Sequence, residues 1–144
     1  MDVKLQEMNI IWEKIDILYH EAAREYGLSD ASFHVLYILS GVEGYFPQKM
    51  MYNLTGISKT TINSAIKKME SEGIIELKAI DGRSTQVGLT DEGKKLSAES
   101  VEKIIEIENR IYDGWTEEER RTMISINRKY MEQFEEELEK LKRR

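Results

Sequence analysis

Between Ser58 and Ser71 a helical wheel sorts the residues into two sets. Ile62, Ala65, Ile66 and Met69 fall on one face, and Thr60, Ser64 and Lys67 stand opposite, flanked by Thr61, Asn63 and Lys68. The apolar set is the core side of an amphipathic helix. A face turned only to solvent normally mixes acidic and basic groups, yet no carboxylate occurs here before Glu70. Short hydroxyls and an amide can meet base edges without long stems, and lysines neutralise phosphates. The helix N-terminus, with Ser58 and Lys59 beside it, offers backbone amides to a phosphate. Cap and solvated-face roles would also account for Ser and Thr in this one helix, but they leave its flanks unexplained.

Those flanks are the elements that must position it. Pro47, the only proline, suits the start of a short helix over about 47–54 that carries Gln48 and Lys49. The Thr55-Gly56-Ile57-Ser58 turn follows, with Gly56 free to take positive φ and Ser58 placed to cap the next helix. Gly73 stops that helix, and two alternating segments then read as a hairpin. A two-residue Asp81-Gly82 turn would put the apolar sets of the two strands on opposite faces. Pairing Ile80 with Ser84 instead sets Leu77 against Val87 and Ile75 against Leu89, so this register is expected. The loop is then Asp81-Gly82-Arg83, with Ser84 at the base and Arg83 at the tip, braced by Asp81. A guanidinium there can enter a narrow minor groove beside the helix.

The rest of the chain predicts helices. Residues 3–25 place Met8, Ile11, Ile15, Leu18 and Ala22 at helical spacing, and Gly27 ends the run. Ser29 caps a second helix over 30–40, and Gly41, Gly44 and Pro47 mark a loop. Thr90 caps a long helix to about Tyr112, Gly114 breaks it, and Thr116 with Glu119 forms a capping box for a last helix. Helices 3–25 and 117–141 carry apolar stripes that the few remaining elements cannot cover, which points to self-association. A two-fold homodimer implies a pseudo-palindromic DNA site with half-site centres about 34 Å apart.

Charge sharpens the picture. The 144 residues hold 21 basic and 27 acidic groups, a net −6. Residues 47–90 alone are net positive, with 6 basic against 4 acidic, while 1–46 and 91–144 are at −5 and −3. A local basic footprint on an acidic body fits a nucleic-acid contact confined to one segment. The acidic whole, with a pI of about 5.1, favours the alternative of a winged-helix module that binds protein and not DNA. The chain has no cysteine, which excludes disulfides and thiolate metal sites. No leader pattern or membrane-length apolar run occurs, so a soluble cytoplasmic protein without membrane contact is expected. No catalytic constellation, phosphate-cradling glycine loop or cofactor motif stands out. His20 and His34 lack metal-ligand spacing, so no metal is expected. Trp12, Tyr19, Phe33, Tyr37, Tyr45 and Phe46 are either core or the lining of a pocket for a small aromatic effector.

Gly56-Ile57-Ser58-Lys59-Thr60-Thr61-Ile62, Met69-Glu70-Ser71-Glu72-Gly73-Ile74-Ile75, Asp81-Gly82-Arg83 and Leu89-Thr90-Asp91-Glu92-Gly93 together resemble the MarR family of bacterial and archaeal transcription regulators. The likeness spans nearly the whole chain, since the flanking helices also match in order and length. It implies a mainly α fold with a small β-hairpin wing: a winged helix-turn-helix over 30–90 within one domain, and dimerisation helices at 1–28 and 91–144. It further implies a DNA-binding regulator, a repressor and not an enzyme, working as an obligate homodimer. The helix 58–71 would enter the major groove and Arg83 the minor groove. Many members release DNA when a small, often aromatic, ligand binds. The wing carries one arginine where many members have two or more basic residues, and Lys78 stands at the strand position usually held by arginine.

Overall fold

Four helix starts are set by hydroxyl side chains that accept a backbone N–H three residues on: Ser29 from Ser32, Ser58 from Thr61, Thr90 from Gly93 and Thr116 from Glu119. Each satisfies one of the donors that a helix leaves free at its N-terminus. The computed structural model describes residues 3–80, 82 and 84–143. Its elements run α1 (Val3–Glu25), α2 (Asp30–Ser40), β1 (Tyr45–Pro47), α3 (Gln48–Thr55), α4 (Lys59–Ser71), β2 (Ile75–Ile80), β3 (Ser84–Leu89), α5 (Asp91–Glu99), α6 (Val101–Asp113) and α7 (Glu117–Lys142). They divide into two compact units, Met1–Ile104 and Ile105–Arg144.

The first unit holds the core. Leu36 and Val35 of α2, Met51 of α3, Ile62 and Ile66 of α4, Ile75 of β2, Val87 of β3 and Val101 of α6 are all essentially inaccessible. The expected apolar face of α4 is therefore the buried one, with Ala65 and Met69 completing it. Two glycines end helices in the same way. After α1, Gly27 at φ +67° lets Leu28 N–H reach the Ala23 carbonyl at 2.9 Å. After α4, Gly73 at φ +75° lets Ile74 N–H reach the Met69 carbonyl, also at 2.9 Å. These are Schellman stops, and positive φ is what a side chain would resist.

The hairpin takes the register that the apolar alternation requires, with Ile80 opposite Ser84, Leu77 opposite Val87 and Ile75 opposite Leu89. The expected loop at 41–47 is overturned in part. Tyr45–Pro47 forms a third antiparallel strand on β3, giving the order β1-β3-β2. A three-residue strand ending in proline has too little alternation to be read, and only its partner β3 completes it. Gly88 makes the pairing possible, because a Cβ there would stand 2.8 Å from the Tyr45 ring.

The single long helix expected from Thr90 to Tyr112 is also corrected. Ser100, at φ −128° and ψ −91°, divides it into α5 and α6. Its hydroxyl donates to the Leu96 carbonyl at 2.5 Å, and both it and Ser97 are buried. Bonding back to the preceding turn competes with the helix ladder, and the break lets Val101 reach the core.

The second unit comprises the end of α6 and α7. Stacked Tyr112 and Trp115 lie at the turn, where the Arg120 guanidinium donates to the Tyr112 carbonyl at 2.7 Å and the Trp115 carbonyl at 3.0 Å. The capping box of Thr116 and Glu119 opens α7, and both its hydrogen bonds are formed. The Thr116 N–H bonded to Glu119 holds that carboxyl below its ordinary pKa. None of the 26 residues of α7 is buried. No helix among the described residues is long and apolar enough to cross a membrane.

Candidate nucleic-acid interface

A helix-turn-helix needs its two helices fixed at one angle, and here α3 and α4 are joined through both apolar and polar contacts. Thr55 donates to the Met51 carbonyl at 2.9 Å and accepts from Ile57 N–H at 3.2 Å, closing the turn over Gly56, whose φ is +68°. Across the helices, Tyr52 Oη donates to Asn63 Oδ1 at 2.5 Å, and Gln48 Nε2 donates to the same oxygen at 2.8 Å. Lys59 Nζ lies 5.7 Å from the Tyr52 ring centroid, a cation–π distance.

With its apolar stripe buried, α4 presents Lys59, Thr60, Thr61, Ser64, Lys67 and Lys68 to solvent, while Asn63 is half-buried against α3. Ser58 is engaged in capping, and its hydroxyl also lies 2.8 Å from Thr61 Oγ1. Among the described residues, Lys49, Lys59, Lys67 and Lys68 make no ion pair, whereas Lys95, Arg121, Lys140 and Lys142 each pair with a glutamate on their own helix. The cations of α3 and α4 are thus left without acidic partners where the first-unit surface is most basic.

A groove of about 620 Å³ runs between the starts of α3 and α4 and the base of β3. Pro47, Gln48, Lys49, Tyr52, Asn53, Lys59, Ser84 and Thr85 line it. It brings Gln48, Lys49, Lys59 and Ser84 together, as the sequence suggested. Tyr52, Asn53 and Thr85 were not singled out there. Their signal was weak: Tyr52 lies one turn after Gln48, which puts it on the same face of α3. Pro47 provides no side-chain cap for α3, so nothing from the protein's side chains closes that end of the groove. Asp81 and Arg83 lie outside the described residues, and the expected tip contact lies there with them. Gly82 has φ +67°.

The base of the wing is braced on its outer face. Tyr45 lies across Gly88 and donates its hydroxyl to Glu76 at 2.6 Å, and that bond comes first among the causes that raise the phenol's pKa. Lys78 Nζ stands 5.3 Å from the Tyr45 ring. On the other side, Thr90 Oγ1 donates to the Gly73 and Ile74 carbonyls at 2.5 and 3.0 Å and accepts from Gly93 N–H at 3.0 Å. A Cβ on Gly93 would come within 1.9 Å of the Ile74 oxygen. The Leu-Thr-x-x-Gly sequence therefore ties the end of α4, the hairpin and α5 into one knot.

The expected aromatic set is only partly gathered. Tyr19 and Phe33 line a cavity of about 300 Å³ with Asp16, His20, Asp30, His34, Thr55 and Ile57. Tyr37 stacks on Phe33 at 6.1 Å without lining it, Trp12 does not line it either, and Tyr45 and Phe46 belong to β1. The polar side of this cavity was invisible in the sequence. His20 Nδ1 lies 2.7 and 2.9 Å from the two Asp30 carboxylate oxygens, and His34 Nδ1 lies 2.7 Å from the Asp30 carbonyl. Among the described residues, no group of three His, Asp or Glu side chains is placed to hold a metal ion.

Residues 26–83 match the sequence model of the MarR family. No curated protein matches the chain by sequence. Among solved structures, it is similar to a MarR family regulator from Neisseria meningitidis, at 21% identity and TM-score 0.83 over 97% of this chain and 99% of that one. It is similar to a MarR protein from Peptoclostridium difficile at 25% identity and TM-score 0.68, over 94% and 90%. It is also similar to Bordetella bronchiseptica BpsR, whose DNA binding is regulated by 6-hydroxynicotinic acid, at 21% identity and TM-score 0.63 over 87% and 91%. A buried-stripe α4, a three-stranded wing and a matching helix order thus coincide with the sequence match, and the chain carries the winged helix-turn-helix of the MarR family of transcription regulators.

Proposed function

We propose that this chain binds double-stranded DNA sequence-specifically and regulates transcription as a homodimeric repressor in the cytoplasm. The observation that carries the reading is the outer face of α4, where Lys59, Lys67 and Lys68 stand among hydroxyls with no ion pair among the described residues. In this reading α4 lies in the major groove, with Thr60, Thr61, Asn63 and Ser64 toward base edges. Lys49, Lys59 and Ser84 hold backbone phosphates in the groove between α3 and the wing. Arg83 enters the adjacent minor groove.

The region 30–90 reads DNA, and 1–28 with 91–144 form the dimer. Ile11, Ile15 and Leu18 of α1 and Ile126, Phe134 and Leu141 of α7 are between 41% and 60% exposed, far more apolar surface than a soluble monomer leaves open. The cavity of Tyr19, Phe33, His20 and Asp30 suits a small aromatic effector, as the regulation of BpsR by 6-hydroxynicotinic acid suggests by analogy.

The test is equilibrium binding to duplex DNA across a salt series. Lys67→Ala is expected to weaken binding to all sequences and to reduce the slope of log K against log salt by about 1. Duplex binding that is absent, or insensitive to salt, would instead support the protein-binding module that the acidic pI of about 5.1 favours.

A further inference from the structure

Resting on the DNA-binding reading above, we propose that Asn63 is a specificity residue that reads DNA with its amino group alone, because Tyr52 and Gln48 occupy its carbonyl. An asparagine amide has one oxygen with two lone pairs and one nitrogen with two N–H donors. Asn63 Oδ1 accepts from Tyr52 Oη at 2.5 Å and from Gln48 Nε2 at 2.8 Å, so both lone pairs are used inside the protein. The Nδ2 group makes no hydrogen bond with any described residue, and it is not sealed from solvent. Asn63 lies on the flank of α4 between the exposed residues Thr60 and Lys67, one helical turn from each.

An asparagine that selects adenine does so with both edges, accepting from N6 and donating to N7. Asn63 has surrendered the accepting edge. Turning its amide alone would set its NH2 against that of Gln48. What faces outward is a donor, matched to guanine O6 and N7 or thymine O4 and mismatched to the amino group of cytosine. Tyr52 is a positioning residue in this scheme, and the Lys59 ammonium over its ring helps to hold it.

Selection of bound sequences from random duplex DNA tests this with the full-length protein, Asn63→Asp and Tyr52→Phe, after thermal melting confirms that each is folded. In Asn63→Asp one carboxylate oxygen still accepts from Tyr52 and Gln48, while the outward group becomes an acceptor. One position in each half-site should switch from guanine or thymine toward cytosine, and the others should stay. Tyr52→Phe should flatten preference at that same position by roughly fivefold, the worth of one hydrogen bond, with the salt slope unchanged because no phosphate contact is lost. An unchanged motif in Asn63→Asp, or a wild-type adenine requirement that this variant abolishes, overturns the proposal while leaving DNA binding intact. If Asn63→Asp does not fold, a Tyr52→Phe motif identical to wild type overturns it. Absence of any wild-type motif overturns the DNA-binding reading, and this proposal with it.

Discussion

Helices α4 and α7 are both amphipathic, yet one is finished and the other is not. In α4 the apolar residues Ile62, Ala65, Ile66 and Met69 are 0–7% exposed, and the polar face is free. In α7 the apolar residues Met123, Ile126, Met131, Phe134, Leu138 and Leu141 are 38–59% exposed, and no residue is buried. The same 3.6-residue period thus has two uses: α4 is held by its own unit so that its other face can read, whereas α7 keeps its apolar stripe for another surface. Charge follows the same division. Lysines of α4 have no acidic partner among the described residues, while Arg121, Lys140 and Lys142 of α7 pair along their own helix.

The sharpest way to break the comparison is to place carboxylates in the stripe of α7. Phe134→Asp with Leu138→Asp should cost the dimer more than about 5 kcal/mol, from lost apolar burial and the desolvation of charge. Sedimentation should then show a monomer, and a persistent dimer would mean that α7 is not part of the interface. The corresponding insult to the finished unit is Gly93→Ala. Its Cβ would clash with the Ile74 carbonyl, so a loss of about 3 kcal/mol in denaturant melting is expected. A change near zero would show that the knot of α4, hairpin and α5 is looser than described.

A smaller effect separates reading from folding. Lys67→Ala with Lys68→Ala should leave melting almost unchanged and lower duplex affinity by roughly tenfold at moderate salt, with the salt slope reduced by about 2. The smallest effect concerns the start of α7. Because the folded-state pKa of Glu119 is lowered, its contribution is present above the unfolded carboxyl value and is lost as pH falls through the folded one. Hydrogen exchange in the first turn of α7 should accelerate on that acid side in the wild type. Glu119→Gln, which has no proton to gain there, should show no such step.

Local chemistry made much of this architecture legible in the sequence. Ser29, Ser58, Thr90 and Thr116 each cap the helix they precede, and the hairpin register followed from apolar alternation alone. Features that depend on distant partners were not legible. Strand β1 exists because β3 is there to pair with it, and the break at Ser100 lets Val101 reach a core built from five other elements. In the candidate site, the outward polar face of α4 was readable as a wheel. The anchoring of Asn63 by Tyr52 and Gln48, 11 and 15 residues earlier in the chain, was not, since no local pattern encodes it. The same holds for His20 and Asp30, ten residues apart, whose meeting gives the aromatic cavity its polar side.

The most direct measurement is selection of bound sequences from random duplex DNA by the wild-type protein, repeated at two salt concentrations. A dimer that reads with α4 should recover one inverted repeat, with half-site centres about 34 Å apart and weaker recovery at the higher salt. Recovery of no motif, or of a single half-site without its inverted partner, would contradict the account.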